Sequence, residues 1–155
     1  MLKPILLLIS ILICFYINAQ IPSTKESIQN FIDSLGRSTD RSSTTTSLLP
    51  AFTDGSNFKW KIKMWHNSKN ELLWVEHILP DSIQTAFIYC QNTLIFVSEV
   101  THFYDSVTDE KSPRFRNIYF SQSKIIDDSA PGRNDHTVTY YLDESKNYLK
   151  LFKSR

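Results

Sequence analysis

A two-residue hydrophobic period begins at Phe58 and, with short interruptions, continues to Asp127. Because successive side chains of a β-strand point to opposite faces, this period indicates strands rather than helices. The strand candidates are residues 58–66, 71–79, 83–90, 93–104, 114–121 and 124–127. Short polar turns at residues 67–70, 80–82, 91–92 and 122–123 separate most of them, and residues 105–113 form a longer charged loop. Connections this short place neighbouring strands antiparallel, so the sequence predicts a meander.

Similar hairpins recur along this meander. The stretches HNSKNELL, YCQNTLIF and YFSQSKII each combine an aromatic strand end, a polar turn and an apolar strand start. The similarity is one of hairpin pattern rather than of a sequence repeat. In the first hairpin, a turn centred on residues 68–69 predicts that Met64 lies opposite Leu73 and Lys61 opposite Glu76, which gives one apolar face and one face with paired charges.

A helix is predicted before the meander. Ser23 and Glu26 have the spacing of a capping box, an apolar stripe follows at helical spacing, and Gly36 is a C-terminal cap candidate, so residues 24–35 are predicted to be an amphipathic helix. Residues 37–47 contain eight serines or threonines among eleven residues, and we expect a Ser/Thr-rich loop over residues 37–57.

The C-terminal segment fits two structures. From Val138 to Phe152 the apolar residues share one helical face, which predicts a helix, whereas the β-forming run TVTYYL and the turn-like DESKN fit a fourth hairpin. The helix is the preferred interpretation. The predicted fold is therefore α+β, with an N-terminal helix, a roughly six-stranded antiparallel meander and a C-terminal helix; the alternative is mostly β.

The first nineteen residues have the pattern of a secretory signal peptide. Lys3 precedes a short apolar run, and Ala19 is a small residue suited to cleavage before Gln20. Ile13 before Cys14 does not fit a lipoprotein cleavage motif. We therefore expect an exported protein, periplasmic or extracellular, in which residues 20–155 form one domain without a transmembrane segment.

The charge of residues 20–155 argues against nucleic acid as a partner. The sequence has 17 basic and 16 acidic residues, and removal of Lys3 leaves 16 of each. A neutral chain without a basic block lacks the electrostatic attraction that nucleic acids and anionic membranes require. Cys90 is the only cysteine after residue 19, so no internal disulfide forms, which is more typical of a bacterial periplasmic domain than of a eukaryotic secreted one.

The sequence contains no pattern typical of a catalytic, metal or cofactor site. The histidines diverge in the predicted register, and no HExxH or CxxC motif, nucleophile elbow or phosphate loop occurs. His77, predicted opposite Trp60, is interpreted as a core-edge histidine, and Cys90 as an inert thiol. We expect no metal and no cofactor, and we assign no catalytic residue.

The candidate binding residues lie in the first hairpin. Trp65 and Trp74 are predicted to lie diagonally on its non-core face, with Lys63 between them. Aromatic residues beside a cation are common in binding surfaces. The alternative is that a terminal helix covers this face and makes both tryptophans part of a second core.

The hairpin NIYFSQSKII, at residues 117–126, is similar to the YYF-turn-GKLI hairpins of small exported proteins of Bacteroidota-type bacteria, although no glycine occupies its turn. The N-terminal helix and the signal peptide ending in Asn18, Ala19 and Gln20 share this resemblance. It implies an exported α+β protein and no active site.

Two functions follow as expectations. The first is a non-enzymatic exported binding module that recognises a protein or an apolar small molecule, because aromatic and apolar residues exceed identifiable catalytic groups. The alternative is a small hydrolase whose acid–base pair comes from loops, for example residues 105–110 with His102.

Overall fold

In the part of the chain that the structure describes, one antiparallel sheet lies between two helices. The computed structural model describes residues 20–48, 60–78, 83–105, 110–131 and 136–154, and it confirms the α+β fold. The seven strands lie in the sheet in sequence order, so the chain is a meander as predicted. The elements are α1 (Lys25–Arg37), β1 (Ser42–Leu48), β2 (Trp60–His66), β3 (Leu72–Ile78), β4 (Ile83–Cys90), β5 (Thr93–Asp105), β6 (Glu110–Ser121), β7 (Lys124–Asp128) and α2 (Val138–Lys153).

Helix α2 covers one face of the sheet. It buries Tyr141, Tyr148 and Phe152 against an apolar layer contributed by five strands. The sheet residues of this core are Ile62, Met64, Leu72, Val75, Phe87, Tyr89, Leu94, Val97, Ile118 and Phe120. The predicted C-terminal helix is confirmed and the hairpin alternative is wrong, because burial of one continuous helical face outweighs the β-propensity of single residues.

Helix α1 packs on the opposite face. Its buried residues Ile28 and Leu35 form one apolar cluster with Leu73, Ile88, Cys90, Ile95, Phe96 and Tyr119. The N-terminal cap is Thr24, whose hydroxyl accepts from the Ser27 N–H while Ser27 accepts from Thr24, one residue later than the predicted capping box. Gly36 lies within the last turn rather than after the helix.

Strand β1 replaces part of the predicted loop. Residues 42–48 pair with β2 without interruption, so the predicted loop is wrong there, and residues 49–57 lie outside the described residues. An edge strand needs backbone pairing but little apolar surface, and its threonines favour extended backbone. The charged loop predicted at residues 105–113 is also shorter, because β5 reaches Asp105 and β6 begins at Glu110.

The hairpins β2–β3, β4–β5 and β6–β7 share one construction. Each has an extra residue in its second strand shortly after the turn: Leu73, Ile95 and Ile126. Residues with positive φ occupy the turns and allow the tight reversal: Asn70, Gln91, Asn92, Gln122 and Ser123. These β-bulges shift the strand pairing, so the predicted pair of Met64 and Leu73 is wrong and Met64 lies opposite Val75.

Within the described residues, no helix has both the length and the apolar character needed to cross a membrane. The proposed signal peptide, residues 1–19, lies outside them.

Candidate functional site

The predicted binding residues lie together on the face that α1 partly covers. Trp65 is directly opposite Trp74, not diagonal to it, and their ring centroids are 4.9 Å apart. The Lys63 ammonium lies 4.2 Å from the Trp65 ring centroid, a cation–π distance, whereas its strand partner is Glu76 instead of the predicted Trp74. The structure therefore brings the three predicted residues together, although the register of β2 and β3 differs from the predicted one by two residues.

Both indoles are half-buried, since they pack against the apolar residues beneath α1. The Arg41 guanidinium, just after α1, lies 5.4 Å from each ring centroid. The tryptophan pair therefore combines a covered inner side with a cation-lined outer side. Its role as a binding surface or as a second core stays a prediction.

The indole N–H groups give this pair an unusual polarity. The Nε1 atoms of Trp65 and Trp74 are both buried and have no hydrogen-bond acceptor among the described residues. A buried unsatisfied donor costs roughly 1–3 kcal/mol. A purely structural core is not expected to carry this cost, because phenylalanine is also large and apolar and has no N–H group to leave unsatisfied.

A groove adjoins the tryptophan pair where α1 meets the turns of two hairpins. Its volume is about 460 Å³. The apolar lining residues are Phe31, Leu35, Leu73 and Cys90, and the polar lining residues are Ser38, Asp40, Asn67, Lys69, Glu71 and Gln91. We call this cavity the α1 groove. The Arg41 Nη1 donates to the Leu35 carbonyl at 3.4 Å, so one guanidinium links the groove wall to the tryptophan rings.

Hydrogen bonds connect part of the polar rim of the α1 groove. The Asp40 carboxylate accepts from both the backbone N–H and the hydroxyl of Ser68 at 3.0 Å. Asn67 donates to the Glu71 carboxylate and accepts from the Glu71 backbone, each at 2.8 Å. At the base, burial raises the pKa of Cys90 to about 11, with a smaller contribution from Glu71. The thiol is therefore protonated at neutral pH, in agreement with the predicted inert cysteine.

A second polar cluster lies under the N-terminus of α2. The Glu99 side chain is 1 % exposed, accepts from Tyr141 at 2.9 Å and lies 2.7 Å from the His136 Nδ1. Burial alone would raise the pKa of Glu99, but the hydrogen bonds from His136 and Tyr141 and the nearby Arg116 charge lower it overall. The carboxylate is therefore ionised inside the protein.

Arg116 supplies the balancing charge. It donates to both Asp128 carboxylate oxygens, at 3.2 and 2.8 Å, and to the His136 carbonyl at 3.0 Å. The hydrogen bond to Asp128 raises the pKa of Arg116, and the same contact lowers the pKa of Asp128. Arg116 is 3 % exposed, so this ion pair is buried. The cluster connects strands β5, β6 and β7 to His136, which lies two residues before α2.

The sequence analysis missed this cluster because a β-bulge creates it. Regular pairing through the two-residue turn at residues 91–92 would place Ser98 opposite Thr85 and Glu99 on the face that α1 covers. The extra residue Ile95 shifts the pairing, so Glu99 lies opposite Thr85 and its carboxylate enters the α2 side. A charged residue inside an apolar strand was the only sequence signal of this arrangement.

The geometry of Glu99 and His136 has the form of a carboxylate–imidazole pair. A carboxylate that contacts Nδ1 orients the imidazole ring, as in acid–base catalysis. Tyr140 stacks on the imidazole at 4.1 Å, and the pair does not line the α1 groove. These contacts fasten the start of α2 to the sheet.

His77 is the buried histidine that the sequence predicted. It is 4 % exposed, lies opposite Thr85, and has the Tyr148 hydroxyl 3.2 Å from its Nε2. Its other strand partner is Ile62 and not Trp60. Burial lowers the pKa of His77 to about 4, with a smaller effect from His136, so the ring is neutral at physiological pH.

Among the described residues, no group of three or more His, Cys, Asp or Glu side chains is arranged to hold a metal ion. The alternative hydrolase was predicted to use residues 105–110 with His102. Residues 106–109 and the side chains of residues 102, 105 and 110 lie outside the described part. Comparisons of the chain with protein-family models, with curated proteins and with solved structures find no match.

Proposed function

We propose that this protein is an exported, non-enzymatic binding module that takes a small molecule with an apolar body and a polar head into the α1 groove. The observation that carries the proposal is the groove itself, about 460 Å³ in volume, with an apolar base and a polar rim. Ligand pockets of proteins have volumes of roughly 300–1,000 Å³ and combine apolar walls with a few polar groups.

The tryptophan pair extends this site. Trp65, Trp74 and Lys63 lie beyond Arg41, whose guanidinium contacts both rings and the groove wall. Two half-buried indoles beside two cations offer flat apolar surface and positive charge to a ligand that projects from the groove. The concave shape favours a small molecule over a protein partner, the other class expected from the sequence, because protein interfaces bury roughly 800 Å² per partner.

The hydrolase alternative has less support. The carboxylate–imidazole pair that the described residues do contain, Glu99 and His136, packs at the start of α2 and does not line the α1 groove. A binding function requires no such pair.

Export is part of the proposal and has its own test. Production from the full sequence in a Gram-negative host, followed by mass spectrometry, should give an N-terminus at Gln20 in the periplasmic or secreted fraction. A full-length cytosolic product would overturn export without affecting the groove.

The binding test uses 1-anilinonaphthalene-8-sulfonate, an apolar dye with an acidic head. We expect saturable, one-to-one binding to the folded protein. Ser38→Phe, which places a ring at the groove rim, should weaken binding about tenfold or more, whereas Ser34→Phe on the exposed side of α1 should not. Equal affinity of the two variants would contradict the assignment of the groove.

A further inference from the structure

The Arg41 side chain lies where the α1 groove meets the tryptophan pair. Its guanidinium carbon is 5.4 Å from the ring centroid of Trp65 and 5.4 Å from that of Trp74. Its Nη1 donates to the Leu35 carbonyl at 3.4 Å. Two aromatic contacts and one backbone contact therefore fix the position of the charge beside the groove wall. The side chain is half-buried, so part of the guanidinium stays open to solvent.

The guanidinium of Arg41 has donors to spare. A guanidinium carries five N–H donors in a planar fork, and two of them can bind the two oxygens of one carboxylate. Among the residues that the structure describes, Leu35 is the hydrogen-bond acceptor of Arg41, and no carboxylate lies within ion-pair distance of it. The Nε and Nη2 groups therefore remain as donors for a ligand.

The acids of the groove rim do not take up this charge, because each already accepts hydrogen bonds inside the protein. The Asp40 carboxylate accepts from the backbone N–H and the hydroxyl of Ser68. The Glu71 carboxylate accepts from the Asn67 side chain. At the rim of the groove, the acids are thus engaged and the guanidinium is not.

Lys63, the other cation of the tryptophan pair, is placed differently. Its ammonium contacts the Trp65 ring, and Glu76 lies opposite it in β3. A carboxylate on the partner strand balances its charge, whereas Arg41 has no such neighbour in the described part of the sheet. Arg41 is therefore the cation that this site presents to a ligand.

We infer that the ligand of the α1 groove is an apolar organic acid, whose oxyanion head group binds the Arg41 guanidinium. This inference rests on the function proposed above, since it names the chemical class of the ligand. The apolar body lies against Phe31, Leu35 and Leu73, and the head group reaches the end of the groove next to the tryptophan pair. A charge-assisted hydrogen bond is favourable there because the guanidinium is already positioned and partly desolvated.

The test compares two dyes that differ in one acid group. 1-Anilinonaphthalene-8-sulfonate carries a sulfonate, and N-phenyl-1-naphthylamine is the same ring system without it. Fluorescence titrations give the affinity of each dye for the wild type, Arg41→Met and Arg37→Met. Arg37 is exposed in the last turn of α1 and does not line the groove, so it is the matched control. Circular dichroism confirms that each variant is folded.

Arg41→Met should weaken binding of the sulfonate dye about tenfold or more and binding of the neutral dye less than about twofold, because the acid group alone uses the guanidinium. Arg41→Lys keeps the charge and removes the planar fork, so it should weaken the sulfonate dye by a smaller factor than Arg41→Met. Arg37→Met should change neither affinity.

Several results would overturn the inference. Equal weakening of both dyes by Arg41→Met would show that Arg41 only packs against the rings, and the groove would remain a ligand site. Unchanged binding of the sulfonate dye would place its head group elsewhere. An equal loss in Arg37→Met would assign the effect to general surface charge. A wild type that binds neither dye saturably would contradict the proposed function as well.

Discussion

Replacement of Arg116 by methionine should destabilise the protein strongly, because it strips the buried Asp128 and Glu99 carboxylates of their cation. Arg116 is 3 % exposed, and its side chain donates to both carboxylate oxygens of Asp128 and to the His136 carbonyl. Loss of one partner of a buried ion pair typically costs 3–5 kcal/mol. The Asp128 side chain is 10 % exposed, so we expect a loss at the lower end of this range, about 3 kcal/mol in the free energy of unfolding at pH 7.

The pH dependence gives this prediction a second readout. The pKa of Asp128 is lowered in the folded protein, so its contribution is present above the unfolded value near 3.8 and is lost as pH falls through the folded pKa. Glu99 behaves in the same direction. Since Arg116→Met removes that contribution, the difference between variant and wild type should shrink when urea unfolding is repeated at about pH 3.5.

Arg114→Met is the matched control. Arg114 lies two residues earlier on β6 and is exposed, so the same substitution there should change the free energy of unfolding by less than about 1 kcal/mol. Equal effects of the two substitutions at pH 7 would refute the argument that the buried pairing of Arg116 stabilises the fold.

Further predictions concern the tryptophans, the buried histidine and the cysteine. Trp74→Ala should lower the free energy of unfolding in urea by about 2–4 kcal/mol. Trp74→Phe should be nearly neutral because it also removes an unsatisfied indole N–H, and a large cost for Trp74→Phe would contradict the presence of that unsatisfied donor. Between pH 7 and pH 4 the free energy of unfolding of the wild type should fall by about 3 kcal/mol because of His77. The pKa of His77 in the folded protein, about 4, lies below its unfolded value, so the unfolded state binds the proton first. His77→Phe should reduce this dependence of the unfolding free energy on pH. Iodoacetamide at pH 8 should label Cys90 about a hundredfold more slowly in the folded protein than in urea, and equal rates would show that the thiol is accessible and unshifted.

The sequence predicts the meander and the faces of its first hairpin because a period of two survives small errors in pairing. The observed register of β2 and β3 differs from the predicted one by two residues over most of the hairpin. A shift of two leaves every side chain on its own face. Ile62 and Met64 are therefore in the core as expected, and Trp65 and Trp74 share the other face.

The bulges are what the period could not predict. One extra residue reverses the faces of everything beyond it, which moves Glu99 from the predicted outer face into the polar cluster with His136 and Arg116. A prediction from the hydrophobic pattern assumes regular strand pairing, so it cannot identify a cluster that depends on the extra residue Ile95. The same extra residue helps to form the apolar layer beneath α1.

Strand β1 escaped prediction for a different reason. Its residues lack the alternation that marks a strand with one buried face, and polar runs of this composition are typical of loops. Its position at the sheet edge depends on backbone pairing with β2, which sequence patterns do not report. The α1 groove was also not predictable, since its lining comes from α1 and from the turns of two separate hairpins.

The proposal of a ligand site in the α1 groove is tested most directly by nuclear magnetic resonance. Titration of the ¹⁵N-labelled protein with 1-anilinonaphthalene-8-sulfonate should shift the amide signals of Ser38, Asn67, Lys69 and Gln91, together with the indole N–H signals of the tryptophan pair. Signals of α2, on the opposite face of the sheet, should stay in place. Shifts confined to α2, or no saturable shifts at the groove, would contradict the account.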